Sequence, residues 1–153
     1  MRLTAVSAEH WRGIVEATGA LVVGRRLFDL TNGWGGSHPM GVPVVVLTHS
    51  VPDGRPREDA PFTFVTEGIG RAVEVAQGLA GDRAVGVNGC TMARQALEAG
   101  LIDEIGIDLV PVLLGGGTPF FDRVDGAPYV LEGPISVAQG VGVTHLRYRV
   151  HRG

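Results

Sequence analysis

Four short apolar runs constrain this chain most: Ala20–Val23, Val42–Leu47, Phe62–Val65 and Ala84–Val87. Each gives way to glycine or a small polar residue, and each is too short for a buried helix. Continuous apolar runs of this length read as strands covered on both faces. Helical spacing fills several of the gaps. Ser7 is placed to cap a first helix with Trp11, Ile14, Val15 and Thr18 on one side and Gly19 as its stop. Gly24 to Leu30 reads as a helix turn or short helix. Thr66 is placed to cap a helix that turns Ile69, Ala72, Val73, Ala76 and Leu79 inward. After Asn88-Gly89 a further helix buries Met92, Ala93, Ala96 and Leu97 and closes at Gly100.

The C-terminal third changes period. Ile105, Ile107 and Leu109 alternate with smaller or polar residues, as in a strand, and Gly115-Gly116-Gly117 reads as a bulge that breaks it. Two late strands follow, around Tyr129–Ala138 and Val141–Val150. In the last, Thr144, Leu146, Tyr148 and Val150 share a face opposite His145, Arg147 and Arg149. The expected fold is a single α/β domain over residues 1–153. It has a mainly parallel sheet with helices on both faces and an antiparallel C-terminal strand pair.

Composition narrows the function. A 44% hydrophobic and 19% charged chain can bury a core, and a net charge of -3 gives no reason to expect nucleic acid. Arg147, Arg149 and Arg152 are the only basic grouping that speaks for it. A single cysteine, Cys90, excludes an intrachain disulfide and a cysteine-based zinc site, and no metal-ligating set is read. No apolar run reaches membrane-spanning length, so no membrane partner and a cytoplasmic location are expected.

Three strand ends carry chemistry. Gly24-Arg25-Arg26 offers close backbone approach and two guanidiniums. Thr48-His49-Ser50 offers hydroxyls and an imidazole. Asn88-Gly89-Cys90-Thr91-Met92 opens a helix whose amides can receive a diphosphate. Each has a plainer reading: glycine for a turn, a solvated arginine pair, an exposed histidine. Together they would meet at one edge of one sheet, where open α/β sheets bind ligands. Neither the G-x-G-x-x-G fingerprint nor a P-loop is present.

The segments GALVVGRRLFDL, VPVVVLTHSVP, FTFVTEGIGRAVEVA, NGCTMARQALEAGLIDEIGIDLVPVLLGGGTPFFD and GVTHLRYRV resemble the dihydrofolate reductase-like family. They are most similar to members related to the reductase domain of riboflavin biosynthesis. The resemblance runs from Gly19 to Val150. It implies a three-layer fold, bound NADPH and hydride transfer to a small pterin- or pyrimidine-like or carbonyl substrate. By position it implies cofactor contacts at Gly24, Arg25 and Arg26, at Thr48, His49 and Ser50, and at Thr66. It implies further contacts at Asn88, Gly89, Cys90, Thr91, Met92 and Gln95. Relatives often dimerise, so a homodimer is expected. Glu9 is the best-placed acid for proton donation, its plainer role being to favour a helix N-terminus. Trp34 serves as a substrate lid or as cover for the core, and Cys90 as small packing.

Three departures stand out. Leu27 replaces the family's phosphate-binding threonine, and Asn88-Gly89 replaces a Gly-Gly pair that can be cis. Relatives also begin with a strand of the type apolar-Ser-Leu-Asp-Gly that walls the substrate pocket, whereas Met1–Val6 is all that precedes the first helix here. A truncated gene product, a reduced strand at Leu3–Val6, or a wall from another chain would each account for it. The rival expectation is a non-catalytic dinucleotide- or small-ligand-binding homologue or assembly subunit.

Overall fold

The computed structural model describes residues 4–54 and 59–151. In chain order the elements are α1 (Ala5–Ala17), β1 (Thr18–Gly24), α2 (Arg25–Leu30), a 3-10 segment (Asn32–Gly36), β2 (Val44–Leu47), β3 (Phe62–Val65), α3 (Ile69–Ala80), β4 (Ala84–Asn88), α4 (Cys90–Glu98), β5 (Glu104–Leu109), β6 (Leu131–Gly140) and β7 (Val143–Val150). They form a mixed α/β fold with a four-stranded parallel sheet flanked by helices and a separate antiparallel sheet. Contacts gather into two compact units, Ala17–Leu101 and Met1–Glu16 with Ile102–Gly153.

The unit Ala17–Leu101 is built on parallel strands in the order β3-β2-β1-β4. Alternate residues of β1 face opposite sides, and both sides are covered, which is why the run is apolar throughout. Ala20 and Val22 pack with Val45 and Val65 against Ala72, Val73, Ala76 and Ala80 of α3. Leu21 and Val23 pack with Val44 and Val46 against Phe28 of α2, with Trp34 and Phe62 closing that side. Trp34 stacks on Phe62 with ring centroids 6.4 Å apart, so of its two readings it covers the core. In α4 all four expected inward residues, Met92, Ala93, Ala96 and Leu97, are buried.

The other unit joins α1 to an antiparallel sheet ordered β5-β7-β6. The expected C-terminal pair is therefore one strand larger, because β5 pairs with β7 along Glu104–Leu109.

Several local expectations are corrected. The first helix starts earlier, and Ser7 lies buried inside it; Thr4 caps it, its Oγ1 accepting the Ser7 amide at 3.3 Å. Ala5 and Val6 are helical, so no reduced strand forms there, and Leu3 lies outside the described residues. Thr18 and Gly19 belong to β1 rather than to the helix end. A Cβ on Gly19 would come within 2.6 Å of the Ala80 carbonyl oxygen, so this glycine lets β1 pass the end of α3. Gly68, not Thr66, precedes α3, and Leu79 is exposed while Ala80 is buried. Strand β5 ends at Leu109, so Gly115–Gly117 lies in a loop instead of a bulge. Among the described residues the cis bonds are Ala127–Pro128 and Gly133–Pro134, and Asn88–Gly89 is trans.

Candidate functional site

Parallel pairing puts the C-terminal ends of β1, β2, β3 and β4 on one rim of their sheet. Gly24 pairs with Leu47, Leu47 with Val65, and Val23 with Asn88. The segments that follow those ends hold the predicted residues other than Glu9.

At the β1 end, Gly24 leads into α2. Met92 packs against this glycine, its Cγ 3.5 Å from where a Cβ would sit, an ordinary van der Waals contact. Arg25 donates from Nε to both carboxylate oxygens of Asp29, at 2.7 and 2.8 Å, and from Nη1 to the Ser50 carbonyl at 3.2 Å. Arg25 thereby ties the β1 end to the β2 end, while Arg26 is exposed. At the β2 end, Thr48 is buried and its Oγ1 donates to the Ser50 carbonyl at 2.8 Å, folding the 48–50 turn; His49 and Ser50 are exposed. At the β3 end, the amide and hydroxyl of Thr66 both donate to Glu67. Those bonds hold the Glu67 carboxyl below its usual range.

At the β4 end, Gly89 takes φ 98° as it precedes α4, a conformation that suits glycine. Cys90 and Thr91 are exposed at the first turn, Gln95 is half-buried one turn on, and Met92 is buried. The rim thus presents backbone amides of a nine-residue helix, hydroxyls and guanidiniums. The free-standing predictions differ in place: Met92 is a packing residue beneath Gly24, and the polar groups of Thr66 are engaged by Glu67. Glu9 is exposed on α1 and belongs to the other unit.

A cleft of about 720 Å³ opens elsewhere in the unit Ala17–Leu101, lined among others by Phe28, Asp29, Asn32, Gly33, Asp59 and Pro61. Pro61 precedes β3, so this cleft lies toward the starting ends of the strands. One of its carboxylates, Asp29, is the ion-pair partner of Arg25, so the cleft adjoins α2. The amides at the start of α4 and the exposed Arg26 are the groups on the rim that suit an anion.

The unit containing α1 holds a polar cluster that the sequence reading passed over. His145 is 3% exposed. Its Nδ1 lies 2.7 Å from Asp108 Oδ1 and its Nε2 lies 3.0 Å from Ser7 Oγ. His10 stacks on His145 with ring centroids 4.1 Å apart, and its Nε2 lies 3.7 Å from Asp108 Oδ1. Burial, and then the neighbouring His145, hold the His10 imidazole below its ordinary value. The available signal was Asp108 on one strand and His145 on the polar face of the last; the expected antiparallel pair joined only the two late strands, so the direct pairing of Asp108 with His145 needs the sheet order.

Comparison with known proteins finds no matching family model and no matching curated protein. Among solved structures, the chain is similar to one described as "putative riboflavin biosynthesis protein" from Shewanella sp. PV-4. The two share 24% identity with a TM-score of 0.73, over 92% of this chain and 78% of that one. At that identity the likeness establishes the fold alone: this chain shares the fold of that structure.

Proposed function

We propose that the rim of the parallel sheet binds a reduced nicotinamide dinucleotide, NADPH, and that the chain is a reductase of a small heterocyclic or carbonyl substrate. The supporting observation is the register that lines up Gly24, Leu47, Val65 and Asn88 at one edge, with α4 opening immediately after Gly89. The fold shared with a protein named for riboflavin biosynthesis supports the same reading. Amides at the start of α4, near Gly89, Cys90 and Thr91, would seat the diphosphate. Arg25 and Arg26 with Ser50 and His49 would hold the 2′-phosphate side, with Thr48 shaping the turn. Gln95 would reach the diphosphate from one turn into α4. The cofactor, when bound, supplies the hydride; the residues bind and orient it.

Arg25→Ala should weaken NADPH by roughly tenfold or more, as loss of a charge-assisted contact does, and NADH less. Equal weakening would remove Arg25 from the 2′-phosphate. A turnover screen with pterin, pyrimidine-like, quinone and carbonyl acceptors tests the chemistry: steady NADPH oxidation with one of them is expected.

One observation favours the second reading, a binding or assembly homologue. Strand β4 is an edge strand and Asn88, Cys90 and Thr91 are exposed, so the described residues of this unit build no wall beside the α4 opening. Tight NADPH binding without turnover on any acceptor would select that reading.

A further inference from the structure

We propose that His10, Asp108 and His145 form a binding site for a divalent transition-metal ion of the zinc class. The three residues come from α1, β5 and β7 of one unit. Asp108 and His145 are register partners on adjacent strands, so the sheet itself holds carboxylate against imidazole. One donor atom from each residue falls within 4.8 Å of the other two. Ligands at zinc distances of about 2.0–2.2 Å in a tetrahedron stand about 3.4 Å apart. The observed separations of 2.7 and 3.7 Å on Asp108 bracket that spacing. The in-plane lone pairs of two stacked rings do not converge, so closing on one ion requires the half-buried His10 ring to swing out of its stack on His145 toward Asp108.

The surroundings suit a metal as well as the donors do. Ligating histidines usually pass their second ring nitrogen to a fixed polar partner. His145 has one: its Nε2 meets Ser7 Oγ at 3.0 Å, and Ser7 is held by Thr4, whose Oγ1 donates to it at 3.2 Å. As the chain stands, Nδ1–H donates to the Asp108 carboxylate and Nε2 accepts from the Ser7 hydroxyl; an ion at Nδ1 would take the place of that proton and leave Nε2–H to donate to Ser7. Two imidazoles and one carboxylate select transition metals over magnesium and calcium, which prefer all-oxygen sets. His145 is buried, while the His10 and Asp108 side chains are 17% and 41% exposed, so solvent reaches the cluster from their side.

Ser7, His145 and Asp108 also follow the connectivity of a hydrolase triad, and that alternative fails on access. Ser7 is 3% exposed, and its Oγ lies 2.6 Å from where a Cβ on Gly140 would stand, so an acyl carbon has no route to it.

The test uses the full chain after chelator treatment. Zinc at about a hundredfold excess over Kd should raise Tm by roughly 5–10 °C, EDTA should reverse the rise, and magnesium should give none. Cobalt(II) should develop the visible bands of a low-coordinate nitrogen and oxygen site, a readout that needs no variant. His10→Ala and Asp108→Asn should each lower zinc affinity at least tenfold, with His151→Ala, a surface control, leaving it unchanged. A cobalt spectrum no different from the free aqueous ion would overturn the site. So would a zinc effect that survives equally in His10→Ala and Asp108→Asn, because the ion would then be bound elsewhere.

Discussion

Gly19 occupies the tightest backbone crossing of the unit Ala17–Leu101. Its alanine variant must displace the Ala80 backbone, which stands 2.6 to 2.8 Å from the new Cβ and has no flexible end to yield. Gly19→Ala should lose about 1–3 kcal/mol of stability in urea denaturation; an unchanged midpoint would mean that β1 and α3 are not packed as described. His38 illustrates the same scale for charge. Burial lowers its imidazole below the ordinary 6.5, and Nδ1 accepts the Met40 amide at 3.2 Å, a bond the protonated ring cannot accept. The unfolded chain therefore binds the proton more readily. Stability contributed by neutral His38 is present above pH 6.5 and is lost as pH falls from there through the lowered folded value. His38→Asn should flatten that part of the stability profile, and an unaltered profile would remove His38 as a contributor.

Among the elements, α4 was the most legible in the sequence, because its four inward residues obey helical spacing and a glycine sits at each end. Helix starts were less so. Ser7 and Thr66 are good capping residue types, yet Thr4 takes the first role and the chain turns at Gly68 before α3. Capping preference is local, whereas burial of Ser7 against His145, 138 positions away, is decided by the fold. Gly19 was misjudged for a related reason, since a helix stop and a close strand crossing call for the same residue. The four strand ends were legible because the parallel apolar runs all finish in small or polar residues. The His10–Asp108–His145 cluster was not, because β7 reads as apolar on one face and polar on the other, and a buried polar face has no signature in alternation. Gly89 carries its prediction at this scale. With φ at 98°, Gly89→Ala should cost about 1–3 kcal/mol and weaken NADPH together with it, measured by melting with and without the nucleotide. Full affinity in that variant would separate the α4 opening from the cofactor.

For the whole molecule, the division into a parallel-sheet unit and an antiparallel-sheet unit separates two chemistries: an anion-suited rim in one and an imidazole–carboxylate cluster in the other. The core of the first rests on Val22, Val23, Val44, Val45 and Val46, all with less than 2% exposure. Such valines contribute about 1.5–3 kcal/mol each by burial, which gives the rim a rigid base. Among the described helices none is long and apolar enough to cross a membrane. The most direct test of the account is hydrogen exchange of the backbone amides with and without saturating NADPH. Protection is predicted to rise together at residues 24–26, 48–50 and 89–91. Protection at only one of these segments, or around residues 29–36 and 59–61 instead, would contradict a single dinucleotide site on the rim.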